Sequence, residues 1–136
     1  MAITNAFKLA ELIRHIEYDS TDDVIKTSKP TQDKNKKRGA ETKSSTSQFN
    51  LDTFAHADFR AARYIVAMSQ GTNFHSTEIM LIHDGTTVSL TQYGVLQDAT
   101  LATFDADISG SNVRLKCTPA SSSSTVIKFD RTLVDA

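Results

Sequence analysis

Between Phe49 and Val134, runs of Thr, Val, Ile and Phe are interrupted about every ten residues by turn-forming residues. That spacing suits short strands and leaves little room for helices, so it predicts an all-β module. Strands are expected near residues 49–54, 61–69, 76–83, 86–93, 100–107, 112–118 and 124–132. The joints carry turn chemistry. His83-Asp84-Gly85-Thr86 places Asp-Gly between two apolar runs, a strong hairpin signal. Ser109-Gly110-Ser111-Asn112 is a second turn, and Thr118-Pro119-Ala120 leading into Ser121–Ser124 is a third, longer one.

Alternation assigns faces in the late strands. Phe104, Ala106 and Ile108 share one face while Asp105 and Asp107 share the other. Val113, Leu115 and Cys117 likewise oppose Arg114 and Lys116. Such strands are buried on one side and wet on the other. Two runs break the rule, Tyr64-Ile65-Val66-Ala67-Met68 and Ile79-Met80-Leu81-Ile82, which are apolar on both faces. Three explanations stay open: cover by the N-terminal segment, cover by a neighbouring subunit, or a plain central position in a sheet. The expected fold is an antiparallel sandwich of about seven strands, jelly-roll-like or Ig-like, over residues 49–136.

Upstream the pattern changes. Leu9, Leu12, Ile13 and Ile16 recur at the spacing of one helix face, predicting a helix over residues 7–18 in an N-terminal anchor, 1–18. A helix of that length, ~18 Å, is marginal alone and must dock on something. Residues 19–48 are almost devoid of apolar side chains, Val24 and Ile25 excepted, and contain Lys34-Asn35-Lys36-Lys37-Arg38-Gly39 and Ser44-Ser45-Thr46-Ser47. Such composition cannot offset its own ordering entropy, so an extended linker is expected there. Apolar residues make up 39% of the whole chain, a low share that fits an extended stretch.

Several function classes are excluded by what the chain lacks. The longest apolar run, Tyr64 to Met68, is too short to span a bilayer. Met1-Ala2-Ile3-Thr4-Asn5 lacks the plan of a signal peptide, so synthesis in a cytoplasm without secretion is expected. A net charge of −1 exerts no global pull on nucleic acid. The basic run Lys34 to Arg38 could touch nucleic acid, solvate a linker, or order on an acidic partner; without interleaved aromatics the linker reading is favoured. His75, Glu78, His83 and Asp84 match no zinc spacing, and Asp105 with Asp107 reads as a solvated face ahead of a calcium site. The lone Cys117 alternates with core residues and reads as a buried thiol. No Gly-rich phosphate loop and no nucleophile motif occurs. No catalytic group, cofactor or metal is expected.

A resemblance adds to this reading. The stretches from Thr53-Phe54 to Phe59-Arg60-Ala61-Ala62-Arg63-Tyr64, Glu78-Ile79-Met80-Leu81-Ile82 with the HDGTT turn at 83–87, the F-x-A-D-I-S-G-x-N-V-R-L run at 104–115, Thr118-Pro119-Ala120, and Lys128-Phe129-Asp130-Arg131-Thr132 resemble a small module. That module recurs in virion structural and tail-fibre-like proteins of marine tailed phages, especially cyanobacterial phages. The resemblance implies a β-sandwich in a phage particle, a homotrimer by analogy with fibre-like proteins, and a protein that is not an enzyme.

With no long repetitive shaft, the expectation is an accessory virion subunit. It would dock on other virion proteins of the capsid, neck, tail or baseplate, as capsid decoration or a fibre-like element. Leu9, Leu12, Ile13 and Ile16 would carry the anchor, and Tyr64, Val66, Met68, Met80 and Ile82 the contacts between modules. The alternative is a host-receptor or carbohydrate-binding tail-fibre module, with Tyr93 as the aromatic near a loop tip.

Overall fold

The computed structural model describes residues 34–136 and, upstream, the backbone of two short strands, β1 (Ile16–Asp19) and β2 (Val24–Thr27). The chain divides into two units, residues 1–34 and 35–136. In the first, β1 and β2 pair antiparallel, with Tyr18 opposite Ile25 and Asp19 opposite Val24. The helix expected to reach Tyr18 therefore does not do so. Its last residues, Ile16 to Tyr18, belong to β1 and pair with Thr27, Lys26 and Ile25. The rest of the expected helix, with Leu9, Leu12 and Ile13, lies outside the described residues.

The second unit is all-β. Its strands are β3 (Lys36–Lys43), β4 (Phe49–Ala55), β5 (Phe59–Gln70), β6 (Asn73–His83), β7 (Val88–Gln97), β8 (Ala102–Ser109), β9 (Asn112–Pro119) and β10 (Thr125–Asp135). They form two antiparallel sheets in the orders β3-β10-β5-β6-β7 and β4-β9-β8. The seven strands expected from alternation correspond to β4 through β10. The pairing is nested at the outside, β3 with β10 and β4 with β9, while β5, β6 and β7 run on as a meander.

The eighth strand, β3, falls inside the range 19–48 expected to be linker. It is held with little apolar surface of its own. Gly39 lies under the Phe129 ring, so closely that a Cβ there would overlap it. The Lys43 ammonium sits 4.6 Å from the centre of the Phe49 ring. An edge strand needs only one neighbour, and lysines on it discourage further pairing. Its charge therefore hides it in the sequence.

The inner faces of the two sheets supply one core. Tyr64, Val66 and Ile79 from the large sheet, Val113, Leu115 and Cys117 from the small one, and Ile127 are all fully buried. A single carboxylate ties the sheets together. Asp52 on β4, its side chain fully buried, accepts hydrogen bonds from Tyr64 Oη at 3.0 Å, Arg131 Nη1 at 2.8 Å and Lys37 Nζ at 2.7 Å. Those donors stand on β5, β10 and β3. Burial first, and then the Asp52 charge, push the Tyr64 phenol far above its ordinary range, so it stays a donor.

Candidate interaction surface

The two sheets differ most on the faces that point away from the core. On the large sheet, register sets Val134, Ala61 and Ile82 side by side across β10, β5 and β6. The next row runs Thr132, Arg63, Met80 and Thr91, and the one after it Asp130, Ile65, Glu78 and Tyr93. Ile65, Met80, Ile82 and Val134 remain 47%, 48%, 53% and 59% exposed, although each is a large apolar side chain.

The charges among them are satisfied locally. Arg63 Nη2 donates to both Glu78 oxygens, at 3.0 and 2.9 Å. Hydrogen bonds from Tyr93 and Arg63 hold the Glu78 carboxyl below its ordinary value. Two shallow grooves cross this face. One of 340 Å³ is lined by Ala61, Met80, Ile82, Ser89 and Thr91, and one of 430 Å³ by Arg38, Ala40, Ile65, Ala67 and Lys128. Tyr93 therefore belongs to the sheet face and not to a loop tip.

This geometry divides the residues singled out in the sequence. Met80 and Ile82 stand on the open face as expected of contact residues. Tyr64, Val66 and Met68 do not: they alternate into the sandwich and are buried in its own core. The doubly apolar run of β5 reflects a central strand whose inward half is core and whose outward half, Ile65 and Ala67, is open. Ile65 and Val134 complete the open face and were missed. Val134 follows the inward-facing Leu133, and only the pairing of β10 with β5 brings it into one row with Ala61 and Ile82.

Groups weighed for chemistry do not converge. His75 and His83 face inward on β6 while Glu78 faces out. Asp107 is engaged by Arg114 through two bonds of 2.6 Å and by Lys116 at 2.9 Å, which holds its carboxyl at about 2. Among the described residues no cluster of three His, Cys, Asp or Glu could hold a metal ion. Burial pushes the Cys117 thiol up to about 12, which suits an inert core residue. Among the described residues no helix is long and apolar enough to cross a membrane.

The two most specific stretches of sequence turn out to be devices of folding. In the HDGTT turn, Asp84 Oδ1 accepts the Thr86 and Thr87 amides at 2.8 and 2.7 Å, and Gly85 takes a φ of 100° that disfavours other residues. His83 Nδ1 accepts the Gly85 amide, so Nε2 carries the hydrogen and donates to Phe59 O at 2.7 Å. The 104–115 run is the β8–β9 hairpin, with Phe104, Ala106, Val113 and Leu115 inward and the Asp107–Arg114 pair crossing the strands outside.

No family model matches the chain, and no curated protein matches it. Its neighbours among solved structures are phage tailspikes. The tailspike of Acinetobacter baumannii phage AM24 is similar at 12% identity and TM-score 0.40, over 75% of this chain and 26% of that one. The Acinetobacter phage vB_ApiP_P1 tailspike is similar at 18% identity and TM-score 0.43, over 75% and 22%. The tailspike gp49 of Acinetobacter baumannii bacteriophage Fri1, a capsular polysaccharide depolymerase, is similar at 14% identity and TM-score 0.32, over 74% and 20%.

The chain thus spans about a quarter or less of the tailspikes it matches. All three are named as tailspikes of Acinetobacter phages, and none is named as a protein of a marine or cyanobacterial phage. The expectation that the chain is not an enzyme is corrected on this point. One neighbour is a depolymerase, and the exclusion drawn from missing motifs is withdrawn. A likeness of this degree transfers no activity to the chain either.

Proposed function

We propose that the chain is a structural module of a tailed-phage particle that works by docking on a larger particle component. The observation that carries this reading is the open face of the large sheet. Ile65, Met80, Ile82 and Val134 lie together on register-adjacent rows around an ion pair that is already neutralised. Apolar area of that kind gains ~25 cal/mol per Å² when a neighbour covers it, and contiguous apolar patches on a protein mark contact sites. The phage assignment draws on the resemblance of the 83–87 and 104–115 stretches to virion modules. Residues 1–34 form the proposed tether.

The test is incorporation. Phage carrying Met80→Asp with Ile82→Asp in this chain would be purified and the protein quantified in the particles. A loss of on the order of tenfold or more is expected, with the fold unchanged by circular dichroism, because two charges must then be desolvated at the contact. Incorporation at the unaltered level sinks the docking reading. Deletion of residues 1–34 tests the tether in the same assay. The cut must spare Asn35, whose side chain donates to Leu133 O at 3.1 Å and Asp135 Oδ1 at 2.9 Å.

A further inference from the structure

The two borders of the five-stranded sheet are built on opposite principles. β3, at one border, carries Lys36, Lys37, Arg38 and Lys43 in eight residues. That is the charged edge with which sheets block pairing by other chains. β7, at the other border, reads Val-Ser-Leu-Thr-Gln-Tyr-Gly-Val-Leu-Gln over ten residues, with no charge and no proline. Among the described strands only β6 pairs with it. Large apolar groups gather along this border. Leu96 is 74% exposed, and Phe74, on the neighbouring strand and two positions from its row, is 62% exposed. Tyr93 and Val95 are open as well.

We propose that β7 pairs antiparallel with the β7 of a second copy of this chain, joining two five-stranded sheets into one. Three features select that occupant. A strand added at β7 must bring a partner edge with no charge to desolvate, and β7 itself meets that condition while β3 does not. Pairing β7 with β7 is two-fold and closes on itself, whereas pairing β7 with the β3 of another copy would leave a free edge at each end and run on as a filament. The two-fold arrangement also brings the open side chains of both copies toward one seam.

The open parts of Tyr93, Val95 and Leu96, with the free backbone edge of β7 and Phe74 close by, are the surface such a pairing would cover. Backbone hydrogen bonds would set the pairing, as in other strand-addition contacts. The proposal is independent of the particle reading, because it uses the border of the sheet and not Met80, Ile82 or residues 1–34. It differs from the threefold assembly that the family resemblance implies.

The full-length chain would be studied by sedimentation equilibrium over a wide concentration range, alone and as Thr91→Lys with Leu96→Lys. Both positions are exposed, so the fold should persist. A monomer–dimer equilibrium is expected for the unaltered chain, weakened on the order of tenfold or more by the facing lysines. Thr42→Lys, on the β3 edge, should leave it unchanged. Hydrogen exchange of the unaltered chain provides a measurement that needs no variant: amides of residues 88–97 should gain protection as concentration rises. A chain that stays monomeric, a trimer, a dimer unaffected by the lysines, or β7 amides whose exchange ignores concentration would each overturn the proposal.

Discussion

The outer faces of the two sheets show how one module can finish in two different ways. On the outer face of the small sheet every charge has an opposite partner within the sheet: Asp107 with Arg114 and Lys116, and Asp105 with Lys116. Thr103 and Thr118 fill the space beyond them. That face is complete in water. On the large sheet the central ion pair, Arg63 with Glu78, is ringed by Ile65, Met80 and Ile82, which remain half open, and a second pair, Arg38 with Asp130, lies toward the β3 border. Its polar groups ask for nothing, while its apolar groups gain from cover. The sheet that is self-sufficient is therefore the small one, and the larger sheet is the one suited to a neighbour.

The largest disturbance of this contrast would come from separating the sheets. Asp52→Ala strands Arg131 as a buried cation and should cost ~3–5 kcal/mol, read as a fall in the urea midpoint. Both outer faces would be lost together. Gly39→Ala pushes a methyl into the Phe129 ring and should cost ~1–3 kcal/mol by thermal unfolding, loosening the β3 border.

A matched pair of surface variants tests the contrast itself. Ile82→Asp should change stability by no more than ~0.5 kcal/mol while raising solubility. Arg114→Ala should lower the melting temperature slightly and more so at low salt, with no effect on association. If Ile82→Asp unfolds the chain, the open face is core and the contrast fails.

The smallest effect is on acid stability. The Asp107 carboxyl is held down from 3.8 to about 2 by Arg114, then Lys116. Its folded value is depressed, so its contribution is full above pH 3.8 and is lost as pH falls toward 2. Glu78 and Asp84 are lowered too and act in the same direction. The difference in acid unfolding between the unaltered chain and Arg114→Ala therefore isolates the part of the Asp107 contribution that Arg114 carries.

Period-two alternation and turn chemistry made β4 through β10 legible before any coordinates, because both are local. β3 was not legible: a single-neighbour strand guarded by lysines has the composition of a solvated linker. The tie between Asp52 and Arg131 joins residues 79 apart and leaves no local trace. Of the open face, Met80 and Ile82 were legible as apolar residues with no obvious cover. Tyr64, Val66 and Met68 were placed there wrongly, since a run that is apolar on both sides does not say which half turns inward. That choice is made by register with β10 and β6.

The position of β10 has a consequence for how the chain comes to fold. Residues 125–135 are late in the sequence yet lie between β3 and β5, inside the sheet. During synthesis the β5–β6–β7 meander can form early, but β3 then has no strand to lie against and β5 shows an open edge of its own. Only when β10 slides into that slot do Arg131 and Asp52 meet and the sheets lock. Long-range closure of this kind slows folding and prolongs the exposure of unpaired strands. A nascent chain stalled before residue 125 would be sticky at two strand edges, where the completed one is sticky at one.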